Sequence, residues 1–171
     1  MTKLYLVRHG ETFDNERQIM QGQTQGELNP TGIRQAEELS LQLADVPFDA
    51  VVASDLWRSI QTARILAEPH HLDVVTTSLL RERDWGSFTG IFIPDLKDRK
   101  PWPDDIESLP TMKDRARRFL RFISKTYPNQ QVLAVGHGII NKAIQAVFWG
   151  KEMHEIEKMK NAEVRILDIS L

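Results

Sequence analysis

Three short apolar runs, each breaking off into a turn that carries His, Arg or Ser, constrain this chain more than any other feature. Residues 3–7 run straight into Arg8-His9-Gly10. Residues 48–53, with Val51 and Val52 at their centre, run into Ser54-Asp55. Residues 131–135 run into Gly136-His137-Gly138. Runs of this length, bounded by turn residues, read as buried strands. Two of them pass almost at once into helical spacing. Ile60, Ala63 and Leu66 follow the second, with Ser54 or Asp55 as the cap and a stop near Pro69. Ile140, Ala143, Ile144 and Val147 follow the third. The first is followed by a polar, Gln-rich stretch, residues 12–29 with Gly22 and Gly26, which reads as a loop. Asn29-Pro30-Thr31-Gly32 then opens a helix with Ile33, Ala36, Leu39 and Leu43 on one face.

The rest of the chain extends the pattern. Residues 73–77 and 163–169 read as further strands. Residues 111–127 form an amphipathic helix with Met112, Ala116, Phe119, Leu120 and Ile123 as its stripe. Arg115, Arg117, Arg118 and Arg121 on that helix read as a solvated face. Residues 90–111 hold Pro94, Pro101, Pro103 and Pro110 among mixed charges and read as an irregular, cap-like excursion. Strands alternating with helices predict an α/β fold: a three-layer sandwich with a mostly parallel central sheet and helices on both faces. With 171 residues, one domain over 1–171 is expected.

In such sheets ligands sit beyond the carboxyl ends of the strands. Arg8-His9-Gly10, Ser54 to Arg58 and Gly136-His137-Gly138 should therefore share one rim. The net charge of −2 draws in neither nucleic acid nor membrane, so any positive site has to be local. Arg8, Arg58 near a helix N-terminus, and His137 make the elements of a phosphate cradle. The glycines after His9 and His137 offer unshielded N–H groups. A neutral imidazole is a competent nucleophile toward phosphorus, and the two arginines should keep His9 neutral by lowering its pKa. The chain has no cysteine, which removes thiolate catalysis and Cys-ligated zinc. Arg8 and Arg58 would repel a cation from His9 and His137, so no metal and no cofactor is expected. His70-His71, between a helix and a strand, is assigned no function.

Taken one at a time these residues are ordinary. Their order is not. Arg8-His9-Gly10-Glu11-Thr12 with Asn15 resembles the signature of the histidine phosphatase superfamily, which includes the phosphoglycerate mutases. Gln21-Gly22, residues 28–32 and Gln35-Ala36 resemble its loop and first helix. Residues 54–63, Ser-Asp-Leu-Trp-Arg-Ser-Ile-Gln-Thr-Ala, resemble its second block. Leu80-Arg81-Glu82 with Trp85-Gly86 and Gly90 resembles its acidic motif, and Gly136-His137-Gly138 its second histidine motif. Three departures stand out. Ser59 replaces the usual Ala, Gly136 stands where Ser or Ala is common, and the stretch 87–90 lacks an acidic residue, which bears on specificity.

The resemblance implies a phosphoglycerate mutase-like fold and a metal-independent phosphomonoester hydrolase acting through a phosphohistidine. His9 would be the nucleophile. Arg8, Arg58 and His137 would bind the phosphoryl group, helped by Asn15, Gln21, Gly22 and the Gly138 amide. Glu82 would protonate the leaving oxygen and then activate water. The residues alone do not choose Glu82 over Glu11. The partner expected is a small phosphomonoester; no nucleic acid or membrane is expected, oligomeric state is not legible, and a cytoplasmic setting is the default. A phosphoglycerate mutase-type phosphotransferase and a non-catalytic phosphate-binding module stay as alternatives, as does a structural, partner-binding protein. Hydrolysis is favoured because the excursion is short, although its Lys97, Arg99 and Lys100 leave a second anion site open.

Overall fold

Five strands and five α-helices are laid down in the order β1 (Thr2–Arg8), α1 (Phe13–Arg17), α2 (Pro30–Gln42), β2 (Ala50–Ser54), α3 (Trp57–Ala67), β3 (Val74–Thr77), α4 (Leu109–Thr126), β4 (Gln131–Gly136), α5 (Gly138–Trp149) and β5 (Val164–Ile169) in this computed structural model, which describes residues 1–170. The sheet order is β3-β2-β4-β1-β5. Its β1–β4, β2–β4 and β2–β3 pairings are parallel, and β5 pairs antiparallel with β1.

The period-2 alternation of strand side chains splits the core in two. Leu4, Leu6, Val52, Val132 and Ala134 face α4 and α5, where Phe119, Ile123, Ile140 and Ile144 are fully buried. Tyr5, Val7, Val51, Ala53, Leu133 and Val135 face the other way and pack with Leu39, Ala63 and Leu66 of α2 and α3. This is the expected three-layer sandwich. Truncating a fully buried aromatic such as Phe119 to Ala in such a core typically costs about 3–5 kcal/mol.

Several local expectations are corrected. The stretch 12–29 contains α1, capped reciprocally by Thr12 and Asn15, and is closed by a bridge between Thr12 and Leu28. Neither Ser54 nor Asp55 caps α3. Leu56 occupies the cap position with no side-chain bond, because Asp55 is held by Arg81 at 2.7 Å and Ser54 turns inward. Ile33 and Ile60 are half-buried. Arg115 does not lie on a solvated face. It is only 8% exposed, whereas Arg117, Arg118 and Arg121 are exposed as expected. The excursion makes a single 3-10 turn at Ile93–Leu96. Trp102 packs edge-on against Trp85 and Phe88, and Asp105 accepts from the Ser87 amide at 2.8 Å, so the excursion is fastened to the stretch that follows Glu82. Among the described residues, no helix is long and apolar enough to cross a membrane.

Candidate active site

The parallel register sets Arg8 opposite Gly136, so the residues that follow, His9 and His137, leave the sheet side by side. The His9 amide donates to the Gly136 carbonyl at 3.2 Å. The two imidazole rings meet edge to face, 5.0 Å between centroids. The helix that begins at Pro30 docks on the same turn. A Cβ at Gly10 would come within 2.5 Å of the Gly32 carbonyl oxygen, and one at Gly32 within 2.0 Å of that of Glu11. Close backbone approach, rather than a free N–H, is therefore what Gly10 supplies; its amide is already bonded to Thr62 Oγ1 at 3.1 Å.

Tautomers follow from the partners. His9 Nδ1 lies 2.7 Å from the Gly10 carbonyl oxygen, which can only accept, so Nδ1 carries the proton and Nε2 keeps its lone pair. His137 Nε2 lies 2.9 Å from Ser54 Oγ and 3.2 Å from Ser59 Oγ. Ser54 Oγ accepts from the Leu56 amide at 3.2 Å and still has its own hydrogen to give, so Nε2 can accept it and Nδ1 can carry the ring proton. Burial lowers the pKa of both rings well below 6.5. Arg58 and then Arg8 add to it at His9; Arg58, His9 and Arg8 do so at His137. Both rings are thus neutral at ordinary pH, with burial rather than arginine charge as the first cause.

Arg8 and Arg58 are clamped from behind. Arg8 Nη1 donates to the Met159 carbonyl at 2.8 Å, and the guanidinium lies against Gly138. Arg58 Nη2 donates to the Gly22 carbonyl at 2.7 Å, and its Nη1 to the carbonyls of Thr24 and Gln25. Burial brings the Arg58 pKa down to about 10, which still leaves it cationic at neutral pH. Five buried side-chain polar atoms among the described residues lack a partner. Three of them are Arg8 Nε, Arg58 Nε and His137 Nδ1. Buried N–H groups without an acceptor are costly, and here they sit on the three residues around His9.

A cavity of about 270 Å³ opens over His9. Arg8, Asn15, Gln21, Gly22, Arg58, Glu82 and Gly138 line it. His137 lies behind His9 and is fully buried. Asn15 and Gln21 are fixed by Thr12, whose amide donates to Asn15 Oδ1 at 3.0 Å and whose hydroxyl donates to Gln21 Oε1 at 3.0 Å. The structure separates the two glutamates that the sequence left open. Glu11 accepts from Asn29 Nδ2 at 2.8 Å and does not line the cavity. Glu82 does, and its Oε1 accepts from the amides of Arg83, Ile139 and Ile140 at 2.9–3.1 Å, at the positive end of α5.

No motif in the sequence marks the side chains that hold these groups. Arg115 reaches under the Glu82 stretch, donating to the carbonyls of Leu79, Arg81 and Glu82. It also pairs with the Glu107 carboxylate at 2.9 Å. Glu107 in turn accepts from the Asp84 amide at 3.0 Å. Gly136 has a reason of its own: a Cβ there would meet Asn141 Oδ1 at 2.2 Å, and Asn141 Nδ2 holds the Val7 carbonyl at 3.0 Å. Ile19, Met20, Trp85, Ile93, Ile139 and Lys158 complete the cavity wall. Lys97, Arg99 and Lys100 are exposed and do not line it. Among the described residues, no three acidic or histidine side chains are grouped to share a metal ion.

Known proteins resemble this chain in sequence and in fold. The family model described as the histidine phosphatase superfamily (branch 1) matches residues 4–170. The "uncharacterized phosphatase PhoE" of Bacillus subtilis (strain 168) is 41% identical over 143 residues, covering 81% of this chain and 72% of that protein. The "metal-independent phosphoserine phosphatase" of Arabidopsis thaliana is 29% identical, covering 99% and 77%. Among solved structures, YhfR of Bacillus stearothermophilus superposes with a TM-score of 0.93 at 26% identity, over 99% of this chain and 92% of that one. A mycobacterial glucosyl-3-phosphoglycerate phosphatase complexed with VO3 superposes with a TM-score of 0.90 at 26% identity, over 97% and 92%.

Proposed function

The chain belongs to the histidine phosphatase superfamily, and from that premise we propose that it hydrolyses small phosphomonoesters through a phosphohistidine at His9. The observation that carries this reading is the set of buried N–H groups without partners on Arg8, Arg58 and His137. Such donors, fixed in advance beside a neutral imidazole, suit the equatorial oxygens of a phosphoryl group in flight.

In the first step His9 Nε2 attacks phosphorus, the ester P–O bond breaks, and Glu82 gives its proton to the departing alkoxide oxygen. Oε1 takes three amide contacts and Oε2 one, from Ile139 at 3.0 Å, so Oε2 is the oxygen better placed to carry that proton. In the second step the Glu82 carboxylate takes a proton from water, the water oxygen attacks phosphorus, and the N–P bond breaks to restore His9. Asn15, Gln21, Gly22 and the Gly138 amide shape the phosphoryl end of the cavity. The unit is the whole chain, 1–171, with 90–111 as its cap. Only Ile93 of that cap reaches the cavity wall, which favours access by water over return of the phosphoryl group to a second hydroxyl, as a mutase requires. The working setting is the cytoplasm, with a small phosphomonoester as partner and neither nucleic acid nor membrane.

Rapid quenching during turnover should trap an acid-labile, base-stable phosphoryl adduct on the native protein. In the His9→Ala protein the adduct should be absent and turnover should fall by on the order of 10⁴-fold or more. Turnover in the same assay should survive a chelator, since Arg and His meet the phosphoryl charge. Near-native turnover by His9→Ala would sink the mechanism.

A further inference from the structure

Asn161 does not line the cavity. It stands on the turn that leads into β5, and the steps above leave it unused. That turn grips the loop that carries His9 from behind. The Met159 carbonyl takes the Arg8 guanidinium at 2.8 Å, and the Ala162 amide donates to the carbonyls of Arg8 at 2.8 Å and His9 at 3.3 Å. Asn161 Nδ2 donates to the His9 carbonyl at 3.0 Å and to Asn15 Oδ1 at 3.4 Å. Ala162 holds φ at 60° in this turn, the left-handed region that a residue with a Cβ seldom adopts. A residue held in that region beside a site calls for a functional reason.

Donors and acceptors fix which way both side-chain amides face. The Thr12 amide can only donate, so the Asn15 atom 3.0 Å from it is the oxygen. The His9 carbonyl can only accept, so the Asn161 atom 3.0 Å from it is the nitrogen. Asn161 Nδ2 has two hydrogens, and the His9 carbonyl and Asn15 Oδ1 use both. Asn15 Oδ1 has two lone pairs, and Thr12 and Asn161 fill both. What remains of Asn15 is its Nδ2, a pure donor with no protein partner among the described residues, on the wall of the cavity that His9 also lines. Without Asn161, Thr12 alone would hold the Asn15 side chain, which could then swing about that single bond.

We propose that Asn161 is a positioning residue for phosphoryl transfer, locking the Asn15 side chain with its Nδ2 toward the phosphoryl oxygens. This rests on the phosphatase reading and adds to it a residue that touches no substrate. A donor fixed before the anion arrives needs no reorganisation when charge develops, and that is what the second bond to Asn15 Oδ1 supplies.

The test is a double-substitution cycle read on nitrophenyl phosphate and on an alkyl phosphate. Asn161→Ala should lower kcat/KM about tenfold on both esters alike, because the lost alignment concerns the phosphoryl group and not the leaving group. In the Asn15→Ala background the same change should cost less than about twofold, since the side chain it positions is gone. Asn161→Ser, which keeps one hydrogen for two acceptors, should recover part of the loss. In nitrogen–proton spectra, inorganic phosphate should shift the Asn15 side-chain amide of the native protein and barely move it in Asn161→Ala. The same cycle read as Kd for inorganic phosphate needs no turnover. If no ester of any kind were hydrolysed, the phosphatase reading would fail, and the Kd cycle would still decide the role of Asn161. A full tenfold loss in the Asn15→Ala background would overturn the proposal and leave Asn161 as a brace of the His9 turn alone. Unequal losses on the two esters would overturn it as well. Should Asn161→Ala fail to fold, Asn161→Ser carries the same cycle.

Discussion

His9 and His137 stand at the ends of two adjacent parallel strands, and the ladder between β1 and β4 sets their spacing. Glu82, which lines the same cavity as His9, stands on a stretch outside every strand. Its place is set by side chains: Arg115 from α4, Glu107 from the end of the excursion, and the amides at the start of α5. The half of the cavity that holds Arg8 and His9 is thus built into the sheet, and the half that holds Glu82 is hung from it. A strand end can shift only if the sheet does. A stretch hung on one buried ion pair can shift alone, and a displacement near 1 Å can already cost about 10²-fold in rate.

The largest test of this contrast sets one residue from each half against the other. Glu82→Gln should lower turnover of an alkyl phosphate by about 10²–10⁴-fold, and that of nitrophenyl phosphate much less, because nitrophenolate leaves without a proton. Arg58→Ala should lower both by about 10²–10³-fold. Matching losses for Glu82→Gln on the two esters would remove the distinction between the halves.

A smaller effect should come from Arg115, which touches no substrate. Arg115→Lys keeps the charge but loses the forked reach to three carbonyls and Glu107. Turnover of the alkyl phosphate should fall about tenfold and that of nitrophenyl phosphate less, the signature of Glu82 out of place. In Arg115→Met, Glu107 is left buried without its partner, the two side chains being 10% and 12% exposed. Unfolding should then come about 3–5 kcal/mol sooner. An Arg115→Lys protein that slows both esters equally would show that the two halves are held together after all.

The smallest effect belongs to the sheet-held half and is read as stability against pH. Both His9 and His137 have folded pKa values well below 6.5. The unfolded chain therefore takes up protons on these rings before the folded protein does. Stability should be complete above about pH 6.5 and should fall as pH drops below it. Thermal melts between pH 8 and 5 should show the decline, and His137→Asn should flatten it. An unchanged slope in that variant would mean that the ring is not held neutral in the fold.

The same contrast explains what could be read without a structure. Strands are marked by runs of apolar residues, and a residue just past a strand end inherits its position, so Arg8, His9 and His137 are legible as one rim. Arg58 was legible from its place at a helix start. Glu82 was not separable from Glu11, because nothing local tells a glutamate bonded to Asn29 from one bonded to the start of a helix 57 residues later. Arg115 was misread because helical periodicity assigns a face, while the chain that covers that face comes from residues 79–84 and 107. Ser54 looked like a cap and is instead the hydrogen-bond partner of His137.

The strand order β3-β2-β4-β1-β5 carries a consequence for how the protein is made. The first strand to leave the ribosome, β1, pairs only with β4 and β5, the last two. This strand, with His9 one residue beyond its end, must wait while more than a hundred residues are added, on the order of ten seconds at ordinary elongation rates. Until β4 and β5 follow, Leu4, Leu6 and Val7, all fully buried in the finished fold, lack the strands that pair with β1, and an unpaired strand edge is open to mispairing. A nascent chain stalled before residue 131 would hold His9 and Arg58 without His137, so the cluster around His9 is complete only late in synthesis.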